Sequence, residues 1–377
     1  MNGSYLAHPL LRGFMSKVLL AFFSLLILSF NATANCVLSP SGGVTLSSML
    51  KQQMPIGKTV VSVPPDTPVG TEILRQTILL SPGIQARIAC DNANPYYSVY
   101  KYAQLPLPAS QVSIGKSGLV YETGVKGIGI MFWYSTNGFP YNLLGSCTGL
   151  SCSGVFNFNT DFSLFKIGDV EPGVISSLNL PVVRYAIGQS TENSADVLEL
   201  SLTGNITVTT PTCQIAEPNK VVHLGRESIT NFTGKGSATS WKDATIQLIN
   251  CPVFYGNTGG RGTSGTWNGS TINASSTQIY NSMTLTLNSS SGVIDAANGI
   301  LDINDIGNGT AAGIGIQLST DRDTGTPAQL AVPLTKVLPT TGDTSYNIPL
   351  FARYIQTEDK VTSGIADGLV TYTLEYK

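Results

Sequence analysis

Charged side chains are scarce in this sequence of 377 residues. Asp, Glu, Lys and Arg together make up 12% of it, and the formal net charge is −2 at pH 7. The absence of a basic cluster argues against a protein that binds nucleic acid or an anionic membrane surface. Ser, Thr, Asn and Gln fill the polar positions instead. This composition favours extended strands, in which Thr is enriched and Lys and Glu are depleted.

Histidine is almost missing, with two residues in the whole chain. The sequence has no Gly-x-Ser-x-Gly elbow, zinc-type histidine pair, Walker loop or Rossmann fingerprint. His223 lies in an alternating apolar segment, which favours a structural role. A glycosidase that uses two carboxylates is not excluded by composition, but no particular pair stands out. We therefore predict a protein that is not an enzyme and that needs no metal or other cofactor.

Long apolar runs are also missing, apart from residues 18–30. Arg12 and Lys17 precede this run, and the small residues Ala32-Thr33-Ala34 follow it, an order typical of a secretory signal peptide. The run is shorter than the ~20 apolar residues of a membrane-spanning helix. We expect residues 1–34 to be a signal peptide cleaved after Ala34, with Met15 as an alternative start. The rest of the chain is then exported and soluble.

All six cysteines lie after this segment, at Cys36, Cys90, Cys147, Cys152, Cys213 and Cys251. An even number of cysteines in an exported chain indicates disulfides. The short spacing of Cys147 and Cys152 also occurs in metal sites, but no histidine is near and the compartment is oxidising. The sequence alone leaves the connectivity open. Pairing of near neighbours favours Cys36–Cys90, Cys147–Cys152 and Cys213–Cys251.

Helical periodicity is nearly absent after residue 34. Short runs with a period of two residues recur instead, separated by Gly, Pro, Asn and Ser. They are residues 58–63, 127–134, 197–208, 243–249, 283–287, 313–318 and 369–376. Regular short strands with turn signals between them predict an all-β fold of the immunoglobulin-like sandwich type.

The length suits two such domains. Pro211 cannot continue a strand, so residues 209–212 are the predicted linker between a domain at 35–208 and another at 213–377. Two further segments, 256–276 and 301–310, are rich in turn-forming residues and are predicted to be loops. Asp302, Asn304 and Asp305 in the second lack the spacing and closing Glu of a calcium loop.

The second half of the chain contains short motifs in a characteristic order. They are Cys213-Gln214-Ile215, Val221-Val222-His223-Leu224-Gly225, Cys251, Gly313-Ile314-Gly315-Ile316-Gln317, Ile348-Pro349-Leu350-Phe351-Ala352-Arg353-Tyr354, Gly364 and Tyr376. As an ordered set they resemble the pilin domain of chaperone–usher (type 1-like) bacterial fimbriae, over residues 213–377. The resemblance implies an immunoglobulin-like sandwich that lacks its seventh strand. A strand from a periplasmic chaperone, and later from the next fimbrial subunit, completes such a domain by donor-strand addition.

The last predicted strand fits this role. Val370, Tyr372, Leu374 and Tyr376 face one side, and Thr371, Thr373 and Glu375 face the other. By resemblance, this strand pairs with the chaperone strand, the carboxylate of Lys377 docks in the chaperone cleft, and Gly364 belongs to the same contact region. The alternative is an ordinary edge strand that closes the sheet.

The resemblance also implies a position in the fibre. A shaft subunit carries a donor strand before its first pilin cysteine, whereas a whole disulfide-bonded domain takes that place here. We therefore expect a two-domain tip adhesin, secreted through the periplasm and assembled by the outer-membrane usher onto the cell surface. The alternative is a minor structural or adaptor pilin without a receptor.

Receptor binding is expected in the domain at 35–208, to a glycan or a protein. Sugars are bound by planar polar groups and aromatic faces. Two segments supply this mixture, and their candidate residues are Asn92, Asn94, Tyr96, Tyr97, Trp133, Tyr134 and Asn137. Each aromatic residue in these segments could instead pack inside the sandwich.

Overall fold

The computed structural model describes residues 35–40, 46–80, 85–145, 147–155, 158–259, 263, 265–274 and 278–377. The predicted signal peptide lies outside these residues. The fold is all-β, as predicted. Within the described part, the helical elements are two short 3-10 turns, Ser177–Asn179 and Ile229–Asn231. No helix among the described residues is long and apolar enough to cross a membrane.

Among the described residues, sixteen strands precede Cys213. They are β1 Cys36–Leu38, β2 Leu50–Pro55, β3 Val60–Ser62, β4 Glu72–Leu80, β5 Gln85–Cys90, β6 Tyr97–Gln104, β7 Tyr121–Glu122, β8 Ile128–Tyr134, β9 Asn137–Gly138, β10 Tyr141–Leu144, β11 Ser151–Val155, β12 Phe158–Lys166, β13 Gly173–Ser176, β14 Val182–Gly188, β15 Ser194–Thr203 and β16 Asn205–Thr209.

In the described part of the chain after Cys213 there are thirteen strands. They are β17 Gln214–Ile215, β18 Lys242–Asp243, β19 Ile246–Ile249, β20 Gly265–Trp267, β21 Ile272–Ala274, β22 Ser282–Ser289, β23 Val293–Asp295, β24 Ile300–Leu301, β25 Ile314–Ser319, β26 Leu334–Val337, β27 Tyr346–Ile348, β28 Phe351–Gln356 and β29 Val370–Tyr376.

Every one of the seven runs predicted from period-two patterns contains a strand. The run 197–208 is divided into β15 and β16 at Gly204, whose φ of 99° interrupts the extended backbone. The alternation of apolar and polar residues predicts these strands correctly because one face of each strand is buried, and successive side chains point to opposite faces.

The first half of the chain forms the N-terminal sandwich. Its five-stranded sheet has the order β10-β6-β14-β15-β2, and its largest sheet has the order β21-β20-β4-β12-β8-β7. Side chains from both sheets, such as Tyr185 and Leu200 from one and Ile78 and Phe162 from the other, belong to a single apolar core. Burying each such side chain stabilises the fold by about 1.5–3 kcal/mol.

The second half forms the C-terminal sandwich, which has a separate core that includes Leu248, Phe254, Leu285 and Leu338. Its three sheets have the orders β17-β19-β27, β18-β28-β25-β24-β23 and β26-β22-β29. The strand β29 therefore lies at the edge of its sheet.

The structure contains the three disulfides that neighbour pairing favours. Cys36–Cys90 joins directly opposite residues of β1 and β5, and Cys147–Cys152 closes a small loop. Cys213–Cys251 ties the start of the C-terminal sandwich to the end of β19. Each bridge is expected to add about 2–4 kcal/mol.

The prediction that residues 256–276 form a loop is wrong. Part of this segment is a hairpin of β20 and β21, and β20 pairs with β4 in parallel. The hairpin therefore leaves the C-terminal sandwich and joins a sheet of the N-terminal one. Its composition conceals it, because an Asn-Gly turn and several Ser and Thr residues surround the few apolar side chains.

One glycine of the motif set shows how closely the backbone packs. Gly313 has a φ of 78°, and a Cβ built on it would lie 1.9 Å from the carbonyl oxygen of Lys360. Gly307 has a similar φ of 81°, but no heavy atom lies within 4 Å of its Cβ position. Alanine is disfavoured by about 1–2 kcal/mol at either backbone conformation. At Gly313 it also meets the opposing backbone.

We therefore expect Gly313→Ala to lower the free energy of unfolding by at least about 3 kcal/mol, and Gly307→Ala by about 1 kcal/mol. Urea unfolding of the full-length variants, followed by circular dichroism, measures both. Equal losses for the two variants would contradict the close packing at Gly313.

Candidate functional site

An apolar groove of about 760 Å³ opens on the C-terminal sandwich. One rim is the segment 220–226, and the other comprises residues 366–370 and Tyr372. Its floor is formed by core side chains, among them Ile246, Leu287, Leu301, Ile316, Leu318 and Leu350. Such a groove lets water approach the core, so a segment that covers it is favoured by the hydrophobic effect.

The strand β29 presents a free backbone edge to this groove. It pairs with β22 on its other side, where the amide of Lys377 donates to the carbonyl of Ser282 at 2.9 Å. Because bonding directions alternate along a strand, the backbone groups of Val370, Tyr372 and Leu374 point away from β22. Among the described residues, these groups have no backbone partner. A free edge beside an apolar groove is the geometry that accepts an added strand.

The side chains of β29 alternate as the sequence predicts. Val370, Tyr372 and Leu374 are half-buried, whereas Thr371 and Thr373 are exposed. The hydroxyl of Tyr372 donates to the carbonyl of Pro218 at 3.4 Å and joins the two sides near one end of the groove.

Tyr376 ends this strand in contact with the N-terminal sandwich. Its ring stacks on Phe254 with 6.0 Å between centroids, and burial raises its pKa. Its amide donates to Oδ2 of Asp66 at 2.8 Å, and the amide of Asp66 donates to its carbonyl at 3.2 Å. The amide and carbonyl of Tyr376 that point away from β22 are therefore already paired, unlike those of Val370, Tyr372 and Leu374.

Gly364 and Lys377 lie on either side of this region. A Cβ on Gly364 would lie 2.3 Å from the amide nitrogen of Ala311, so in this structure the glycine permits two backbone segments to approach. The Nζ of Lys377 lies 2.7 Å from Oε2 of Glu375, in an exposed ion pair. A role for either residue in contact with a chaperone stays a prediction.

Three residues of the motif at 348–354 line the groove, namely Leu350, Ala352 and Tyr354. Tyr354 lines it and donates its hydroxyl to the carbonyl of Ala366 at 3.0 Å, and burial is the main cause that raises its pKa. Arg353 packs over Trp241, with 4.0 Å from Cζ to the ring centroid, and donates to Oε1 of Gln317. The motif in the sequence marks the family resemblance but does not predict that Leu350, Ala352 and Tyr354 line a groove.

The predicted receptor-binding residues divide into buried and accessible ones. Tyr96 is 1% exposed and Trp133 is 4% exposed. Asn92, Asn94 and Tyr134 are exposed, and Tyr97 and Asn137 are partly exposed. The core interpretation therefore fits the first two side chains in this structure. Receptor binding by the whole set stays a prediction.

The indole of Trp133 is covered by cations. Nζ of Lys116 lies 3.5 Å from the ring centroid, and Cζ of Arg75 lies 4.4 Å from it. The indole nitrogen donates to Oγ of Ser163 at 2.9 Å. Its ring and its donor are thus engaged within the protein, and a ligand would have to displace a side chain to stack on it.

The accessible residues lie far from the C-terminal sandwich. Along β8 the chain runs from Ile128, opposite Lys166, to Tyr134, which is about 20 Å further on at the spacing of a strand. Lys166 is bonded to Thr71 and Pro65, beside the Asp66 contact with Tyr376. Tyr134 and its partner Asn137 therefore mark the opposite, distal end.

Loops around Tyr97 belong to the same distal end. Tyr97 begins β6 opposite Gly188 and Leu144, away from Thr209 at the end of β16. Tyr100 follows Tyr97 on β6 and lies further into the sandwich. Burial raises the pKa of Tyr100, and the nearby Tyr185 and Tyr134 raise this pKa further. Tyr134 is therefore close to the side chains that fill the core beneath this surface.

A pair of tyrosines tests this division. We expect Tyr96→Ala to lower the free energy of unfolding by about 3 kcal/mol, because it empties a buried site. Tyr134→Ala should change it by less than about 0.5 kcal/mol, because the side chain of Tyr134 is exposed. Chemical denaturation of both full-length variants provides the measurement. A stability loss at Tyr134 as large as that at Tyr96 would show that Tyr134 is structural.

The sequence matches the family model described as Fimbrial protein over residues 200–377. No curated protein sequence matches the chain. Among solved structures, the chain is similar to the CupB6 tip adhesin from Pseudomonas aeruginosa. That similarity has 14% sequence identity and a TM-score of 0.36, and covers 90% of this chain and 94% of that one.

Two further solved structures are similar. The receptor binding domain of the adhesin MrkD1P of Klebsiella pneumoniae has 22% identity and a TM-score of 0.33, with 48% of this chain and 99% of that one covered. The CsuC–CsuE chaperone–tip subunit complex from Acinetobacter baumannii has 12% identity and a TM-score of 0.22, with 90% and 99% covered. The match to the Fimbrial protein model over residues 200–377 confirms the fimbrial resemblance that the ordered motifs predict.

Proposed function

We propose that this chain is a fimbrial tip adhesin, which binds a receptor with its N-terminal sandwich and joins the fibre through its C-terminal one. The observation that carries the proposal is the apolar groove beside the free edge of β29. An ordinary closed sandwich has no such opening. A fimbrial domain with this geometry is suited to accept a strand from another protein.

The occupant of the groove is an extended strand with alternating apolar residues. Its backbone pairs with Val370, Tyr372 and Leu374, and its apolar side chains cover the floor at Leu301 and Ile316. By resemblance to the chaperone–usher family, a periplasmic chaperone supplies the first such strand. After transfer at the outer-membrane usher, the N-terminal extension of the next subunit supplies the second.

The segment before Cys213 supports the tip position. Residues Asn205–Thr209 form β16, which pairs with β13 on one side and β3 on the other. This strand is part of the N-terminal sandwich and is therefore not free to enter a neighbour's groove. The alternative, an adaptor pilin within the fibre, requires a free donor strand at this place in the sequence.

The receptor surface is the distal end of the N-terminal sandwich. Asn92, Asn94, Tyr97, Tyr134 and Asn137 are at least partly accessible there, at the end opposite the C-terminal sandwich. Amide groups and a tyrosine face are suited to sugar hydroxyls and to the apolar side of a sugar ring. We therefore propose a glycan as the receptor, with a protein receptor as the second candidate.

Strand acceptance is tested by a charge in the groove. We expect Val370→Asp to weaken the binding of an extended Val-Thr repeat peptide to the full chain by about a hundredfold, because the added strand would bury an unpaired carboxylate. Thr371→Asp is the matched control, since the neighbouring side chain faces the other side of β29. Calorimetric titration measures both. Equal affinity of the two variants would contradict the groove as the acceptor.

Receptor binding is tested by a glycan array probed with the full chain. We expect saturable binding to one class of glycan, weakened at least about tenfold by Tyr134→Ala, because an accessible aromatic face is lost. Tyr280→Ala, at an exposed tyrosine of the C-terminal sandwich, should leave binding unchanged. A blank array with a folded chain would reject the glycan and favour a protein receptor.

A further inference from the structure

The hairpin of β20 and β21 lies against the N-terminal sandwich although its sequence belongs to the second half of the chain. Thr266 is opposite Thr77, and Trp267 is opposite Ile78, in a parallel pairing. In the largest sheet of the N-terminal sandwich, β4 thus has β12 on one side and β20 on the other.

Further hydrogen bonds hold the same segment along β4. The amide of Thr258 donates to the carbonyl of Ile73 at 3.0 Å. The amide of Thr77 donates to Oγ1 of Thr263 at 2.9 Å. The contact therefore extends over most of the strand β4 and is not confined to the two paired residues.

Trp267 anchors the hairpin. It is 1% exposed and belongs to the apolar core of the N-terminal sandwich. Ile272, on the returning strand, packs against the same core. A buried tryptophan contributes more apolar area than any other side chain, so its removal leaves a large cavity.

Without this hairpin, β4 would be an unfavourable edge strand of its sheet. It is nine residues long, and five of its side chains are buried, including Ile73, Leu74, Ile78 and Leu80. A long apolar edge with unpaired backbone groups is unstable in water and prone to pair with other chains. The strand that covers the edge of β4 is β20, which belongs to the same chain.

We propose that β20 and β21 are an integral part of the N-terminal sandwich, so that the receptor-side fold depends on a strand supplied by the fimbrial half of the chain. The edge of β4 is an acceptor surface, and its partner is the segment 265–274. This inference concerns folding of the receptor side and is independent of which receptor binds there.

Hydrogen exchange of the full chain, read strand by strand, tests the proposal. We expect Trp267→Ala to speed exchange of the amides in β4 and β12 by about a hundredfold, because opening of the sheet becomes easier. Exchange in β25 and β28, inside the C-terminal sandwich, should stay unchanged. Trp241→Ala is the control, since Trp241 packs over Arg353 in the C-terminal sandwich, and it should leave β4 and β12 protected.

The contrary result is faster exchange of the Trp267→Ala variant within residues 265–274 alone, with β4 and β12 protected as in the unaltered chain. That result would make the hairpin a peripheral attachment and would overturn the proposal. If Trp267→Ala does not fold, Trp267→Phe decides. It keeps an aromatic side chain and is expected to speed exchange in β4 and β12 by about tenfold, and unchanged exchange there would count against the inference.

Discussion

The pairing of strand edges is the constraint on which this structure depends. A sheet must either cover its last strand or leave backbone groups and apolar side chains facing water. The two sandwiches meet this constraint differently. The N-terminal one has its β4 edge covered by a hairpin from the same chain. The C-terminal one leaves the edge of β29 free beside a groove.

The two sandwiches are joined by a small buried polar network. Oγ of Ser62 accepts a hydrogen bond from the amide of Tyr255, and the amide of Ser62 donates one to the carbonyl of Gly256. Oδ1 of Asn281 accepts a hydrogen bond from the amide of Gly256 at 2.9 Å. Ser62 and Asn281 are each 1% exposed. Because buried polar groups are costly when unpaired, this network favours one arrangement of the residues that meet there.

Local patterns in the sequence predicted the all-β class, the seven alternating strands, the neighbouring disulfide pairs and the fimbrial resemblance. These features depend on residues close together or on a fixed motif order. The docking of Trp267 could not be predicted, because its partner Ile78 lies in the other half of the chain. The burial of Tyr96 and Trp133 was also open, since an aromatic residue beside a turn has the same local pattern whether it packs inward or faces a ligand.

The orientation of the hairpin has a mechanical consequence. The chain passes from the N-terminal to the C-terminal sandwich between β16 and β17, and the hairpin of β20 and β21 makes a second connection. The strand β4 runs from the interface towards the distal end, and β20 runs alongside it in the same direction. Tension that pulls the sandwiches apart along this axis loads the β20–β4 bonds in shear, all together rather than one after another. The β20–β4 pairing is thus a non-covalent connection that holds the two sandwiches together in addition to the covalent chain between them.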